Sequence, residues 1–109
     1  MKQPMMVLNE AEIRRSVSLN DEALAEVSKG FTALAKGEVT LPSILRIDIP
    51  ENHGEVDVKT AYIHGLDSFA IKIAAGFFNN NQLGLPTGSG MMVLISAITG
   101  YPTAILLDN

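Results

Sequence analysis

The chain has no cysteine, so it can form neither a disulfide framework nor a thiolate metal site, and a reducing, cytoplasmic setting is expected. Histidine is almost as scarce. His53 and His64 both fall in turn-like segments and are expected as exposed loop residues rather than as metal ligands or bases. No Ser/His/acid set and no pair of carboxylates has a spacing that identifies a catalytic constellation. Positive charge is short too: 8 Lys and Arg stand against 12 Asp and Glu, a formal net charge of -4. That balance argues against nucleic acid or an anionic membrane surface as a partner. No apolar run approaches the roughly 20 residues that cross a bilayer, and the one near the N-terminus is too short for a signal peptide.

What is present is a globular composition, 47% hydrophobic and 18% charged over 109 residues. This fits a single folded domain spanning 1–109, long enough for a core but short for an enzyme that must hold both a substrate and a large cofactor. Residues 5–8 form a short extended apolar segment. Asn9 then offers a side-chain oxygen to the first free amides of a helix, with Glu12 completing a capping box and Leu8 and Ile13 at the staple positions. A helix over 10–17 follows. Asn20, or Ser18 with Asp21, starts a second helix ending at Lys36 and Gly37, whose Leu24, Val27, Phe31 and Leu34 recur at helical spacing and read as core. Gly30 inside it suggests that another backbone packs close by.

From residue 40 the period becomes alternating. Leu45, Ile47 and Ile49 share one face of a strand opposite Ile44, Arg46 and Asp48. Over 55–63, Val56, Val58, Thr60 and Tyr62 oppose Glu55, Asp57, Lys59 and Ala61, and after a turn at 64–67 Phe69, Ile71 and Ile73 oppose Ala70, Lys72 and Ala74. Strands near 91–97 and 103–107 close the chain. Two helices followed by five or six strands read as α+β with a mainly antiparallel sheet. The closing strands are apolar on both faces, which points to a homodimer formed through the sheet.

Three successive strands therefore carry one cation each, Arg46, Lys59 and Lys72, on the face away from the large aliphatic residues. If the strands are neighbours, the three charges converge on a patch suited to a small carboxylate. The alternative is an ordinary solvated ladder in which Asp48, Glu55 and Asp57 pair with them. Residues 84–90, Gly-Leu-Pro-Thr-Gly-Ser-Gly, superficially suggest a phosphate cradle. Val93 stands where a dinucleotide fingerprint wants a small residue, and a strand follows where a helix should, so a plain wide turn is the expectation.

Leu-Pro-Ser-Ile-Leu-Arg-Ile-Asp at 41–48, Val-Lys-Thr-Ala-Tyr-Ile-His-Gly at 58–65, Phe-Ala-Ile-Lys-Ile at 69–73 and the glycine-rich run at 84–90 resemble the N-terminal part of the ornithine cyclodeaminase/mu-crystallin family. The likeness in order and spacing covers essentially the whole chain. Residues 67–72, the run Gly-Phe-Phe-Asn-Asn at 76–80 and the closing Leu-Leu-Asp-Asn look closest to the branch associated with ectoine utilisation.

The resemblance implies an enzyme that joins an α/β substrate-binding and dimerisation domain to a Rossmann domain holding NAD(P). Only the first is covered here. By this likeness Arg46 and Lys72 hold the α-carboxylate of an amino acid or imino acid, Lys72 also being a possible proton-transfer group. Lys59 matches a position that is lysine in only some members, and Thr87 matches a threonine touching the cofactor. The family's later arginine, catalytic aspartate and dinucleotide loop would all follow Asn109, so the chain alone is expected to be inactive and to bind no dinucleotide tightly. The implied chemistry is deaminating cyclisation, amino-acid dehydrogenation or imine reduction. A competing expectation is a stand-alone dimeric module that binds a small carboxylate without redox activity.

Overall fold

The computed structural model describes residues 4–108; Met1, Lys2, Gln3 and Asn109, which belong to the terminal segments read above, lie outside the described residues. Strand β1 (Met6–Leu8) leads into helices α1 (Glu10–Ser16) and α2 (Asp21–Ala35). Strands β2 (Val39–Thr40), β3 (Leu45–Ile49), β4 (Gly54–Ile63), β5 (Ser68–Phe77), β6 (Gly88–Ser96) and β7 (Pro102–Leu106) follow. The result is α+β, with two helices on one open sheet in the order β1-β7-β6-β5-β4-β2 and β3 also paired to β4. All pairings are antiparallel except β1 with β7. Seven strands therefore stand where five or six were expected.

Local chemistry sets the helix ends. Asn9 Oδ1 accepts from the Glu12 amide at 2.9 Å while Glu12 Oε1 accepts from the Asn9 amide at 3.1 Å, the reciprocal capping box. Asn20, rather than Ser18, caps α2 by accepting from the Ala23 amide at 2.9 Å. At the other end Gly37 takes φ of 73°, and the amides of Gly37 and Glu38 donate to the carbonyls of Leu34 and Ala33. These are the two bonds of a Schellman stop, which glycine permits without a Cβ clash.

The α2 stripe is not core in this chain. Leu24, Val27, Phe31 and Leu34 are exposed, Phe31 by 69%. The main contact of the helix with the sheet is at the far end of β4, where it leaves an open groove lined by Val27, Phe31, Leu34, Val39, Leu41 and Ile63. The close neighbour of Gly30 is likewise a side chain and not a backbone: a Cβ there would meet Ile63 Cδ1 at 3.8 Å. Among the described residues only Ala33 and Ala104 are buried hydrophobics. The accessible surface of 8252 Å² exceeds by about 2,400 Å² the roughly 5,900 Å² typical of a compact monomer of this mass. The Cα radius of gyration, 16.1 Å, is likewise above the roughly 13 Å expected for a chain of this length. The molecule is a single sheet with one thin covering layer.

The glycine-rich run departs from a plain turn. A 3₁₀ turn at Asn80–Leu83 ends at Gly84 with φ of 72°, but Gly88, Ser89 and Gly90 already belong to β6, opposite Gly76, Ala75 and Ala74. Glycine at 90 allows the strands to approach, because a Cβ there would collide with the Ile73 carbonyl oxygen.

Candidate functional site

Residues opposite one another across a ladder share a face, so the registers assemble the site directly. Arg46 faces Asp57, which faces Ala74, which faces Gly90. The next row is Asp48, Glu55, Gly76 and Gly88. On the other side of the Arg46 row, Lys59 faces Lys72, which faces Met92. Arg46, Lys59 and Lys72 thus stand on one face of three adjacent strands. Arg46 and Lys72 are one row and two strands apart, so their Cα atoms are separated by about 12 Å from ordinary sheet spacings. Between them on β4 stand Asp57 and Lys59, and the β5–β6 part of this face carries nothing larger than a methyl at Ala70, Ala74, Gly76 and Gly90.

The three cations differ in their surroundings. Arg46 Nε donates to Asp48 Oδ1 at 3.1 Å and its Nη2 lies 2.7 Å from Glu55 Oε2. Asp57 Oδ1 lies 4.0 Å from Arg46 Nε, near enough for attraction but too far for a hydrogen bond, and that buried oxygen has no hydrogen-bond partner among the described residues. The Asp48 hydrogen bond, followed by the charge of Glu55, raises the guanidinium pKa above its ordinary value. Arg46 follows the ladder alternative, and three carboxylates offset its charge. Lys59 and Lys72 do not follow it: both are exposed, and no carboxylate oxygen of a described residue lies within 4.0 Å of either ammonium.

Two open cavities border this face. One, of about 520 Å³, is lined by Arg46, Asp48, Pro50, His53, Gly54, Glu55 and Phe78. The other, of about 510 Å³, is lined by Leu41, Pro42, Ser43, Ile44, Lys59 and Thr60. Thr87 sits just before β6, with its carbonyl accepting from the Phe77 amide at 2.9 Å. It lies beyond the Asp48–Gly88 row, at the opposite end of the face from the lysine pair. The histidines occupy loops. His53 closes a 3₁₀ turn with φ of 49°, and His64 places Nε2 2.9 Å from Thr40 Oγ1, with its ring 5.6 Å from that of Tyr62.

Alternation along each strand was enough to place all three cations on a common face. The facing of Lys59 and Lys72 had a signal as well: the short turn at 64–67 sets the hairpin register, which runs unbroken from Gly54 opposite Phe77 to Ala61 opposite Ala70. The cavity walled by residues 41–44 had none, since it arises where β4 loses a neighbour between β2 and β3.

A sequence profile described as the ornithine cyclodeaminase/mu-crystallin family matches residues 3–109. A protein of Rhizobium meliloti (strain 1021) is 59% identical over 105 residues, 96% of this chain and 32% of its own length. An uncharacterized cyclodeaminase of Sinorhizobium fredii is 53% identical over 106 residues, again 96% of this chain and 32% of the other. The chain spans about a third of the length of the curated relatives it matches. Among solved structures, the Thermococcus litoralis Δ1-pyrroline-2-carboxylate reductase in complex with NADH and L-proline has a TM-score of 0.86 at 22% identity, over 94% of this chain and 31% of that one. An archaeal alanine dehydrogenase dimer with bound NAD has a TM-score of 0.83 at 25% identity, over 94% and 30%.

Proposed function

The chain belongs to the ornithine cyclodeaminase/mu-crystallin family, and from that premise we propose that residues 1–109 are the substrate-binding and dimerisation domain of an NAD(P)-dependent enzyme acting on an amino acid or imino acid. The observation that carries this reading is the common face of Arg46, Lys59 and Lys72, with two ammoniums that no local carboxylate compensates. The motifs at 67–72 and 76–80 support a place in the branch associated with ectoine utilisation.

The chain's own residues act by holding the substrate. A carboxylate over the β4–β5 pair is drawn to Lys72, and Arg46, one row and two strands away, helps to fix its orientation through an N–H not taken by Asp48 or Glu55. Holding the carboxylate fixes the Cα, so that its hydrogen or its imine carbon points away from the sheet. Lys72, uncompensated and exposed, is also placed to give or take a proton at the substrate nitrogen. The dinucleotide supplies the hydride acceptor or donor. Of this chain's residues, Thr87 would touch it. Strand β6 replaces the glycine loop that a complete phosphate cradle would need, so the main binding surface for the dinucleotide has to come from another segment.

Dimerisation is assigned to the opposite face. There Leu45, Ile47, Val56, Val58, Ile71, Ile73 and Val93 form an apolar surface on which the first two are exposed and the others half-buried, and the surplus accessible surface is of the size that obligate homodimers bury. The test is turnover by a longer polypeptide in which residues 1–109 precede a dinucleotide-binding domain. NAD(P)-dependent oxidation of an amino acid, lost on Lys72→Met and on Arg46→Met, is the expected result. Micromolar NAD(H) binding by the 109-residue chain in isothermal titration would overturn the division of labour.

A further inference from the structure

The partner strands of β4 do not run its full length. Strand β2 pairs with Tyr62 and Ile63, and β3 pairs with residues 54–58, so on that side the ladder skips Lys59, Thr60 and Ala61. The skipped stretch faces the connection 41–44, and the gap is the cavity of about 510 Å³ that Lys59 and Ser43 help to line. Lys59 therefore belongs to two places at once. It stands directly opposite Lys72, and it also lines a cleft on the other side of β4 from Lys72.

The charges along this face are unequal. At the Arg46 end Asp48, Glu55 and Asp57 surround one guanidinium, whereas the two lysines bring two positive charges with no carboxylate within reach. Cβ atoms of facing residues in an antiparallel pair are about 5 Å apart, so the two positive charges rise from one small patch of the face. One α-carboxylate offsets one of them. The other is offset only if the ligand carries a second negative charge, and the cleft beside Lys59 is where that charge fits. A ligand whose side chain ends in an ammonium would instead bring a third cation to the pair.

We propose that Lys59 and the cleft walled by residues 41–44 bind the second carboxylate of the substrate, making this enzyme one for short amino or imino dicarboxylic acids of the aspartate or glutamate type. The proposal rests on the functional reading above, in which Lys72 holds the α-carboxylate. Lys59 then selects among substrates, with Ser43 offering a hydroxyl to the distal group, and takes no part in the chemical step.

The test compares kcat/KM of the longer, dinucleotide-binding polypeptide on aspartate, glutamate, alanine and ornithine for the wild type, Lys59→Met and Lys59→Arg. The wild type is expected to favour a dicarboxylate over alanine. Lys59→Met should reduce that preference by about 10- to 100-fold, mostly through KM, as for loss of one charge-assisted hydrogen bond, and Lys59→Arg should keep most of it. A wild-type preference for ornithine, or a ratio unchanged by Lys59→Met, overturns the proposal. Failure to oxidise any amino acid would instead overturn the functional reading, and titration of the 109-residue chain with succinate, butyrate and inorganic phosphate then decides the role of Lys59. Succinate binding above butyrate that Lys59→Met abolishes supports a dicarboxylate site. Phosphate binding as tightly as succinate, or no difference between succinate and butyrate, refutes it.

Discussion

At the scale of single residues, the glycines are informative where a neighbour crowds them. Gly54 is buried opposite Phe77, and a Cβ on it would run into the Phe77 ring. The ring thus covers the backbone of a glycine across the ladder, a pairing that suits a strand start beside a tight turn. Gly54→Ala is expected to destabilise the protein by about 1–3 kcal/mol through overpacking. Adding Phe77→Leu should recover part of that loss, giving a coupling that denaturant melts at one protein concentration can measure. Strict additivity would show that the crowding relaxes elsewhere. Both helix caps and the common face of Arg46, Lys59 and Lys72 were legible at this scale, because each depends on neighbours a few residues away. The unequal compensation of the three cations was not. The acids near Arg46 lie on the same face as Lys59, and only the rows separate them.

At the scale of elements, what the sequence conceals is pairing across long separations. Strand β1, legible as the extended apolar segment at 5–8, joins β7 in parallel, Met6 beside Ala104, and no local pattern marks a partner almost a chain length away. Strand β2 is two residues long and is visible only through its ladder to Ile63 and Tyr62. Helix α2 is the instructive departure. Its period is that of a buried face, and periodicity reports that a face is apolar without reporting what covers it. In this chain little does, so Phe31→Ser should cost no more than about 0.5 kcal/mol, as for an ordinary surface substitution. A loss of several times that in the isolated chain would mean that the stripe is covered in solution.

At the scale of the whole molecule, the feature that matters is a sheet with little on either side. The 8252 Å² surface encloses, among the described residues, only Ala33 and Ala104 as buried hydrophobics, so much apolar area is left for a partner to cover. Sedimentation at tens of micromolar should show a two-fold dimer, and Ile73→Lys, at the centre of the apolar face, should convert it to a monomer or precipitate it. A clean wild-type monomer would place the partner of that face elsewhere. The parallel pairing of β1 with β7 has a mechanical consequence too. The two strands at the edge run the same way, so the chain enters at one end of the pair and leaves at the other. Tension applied between residues 4 and 108 pulls along the strands, and the bonds joining them, among them the Leu107 amide to the Leu8 carbonyl at 2.8 Å, bear the load together. Such an edge resists stretching by sliding rather than peeling, which makes it a stiff point of attachment for whatever the chain is tethered to.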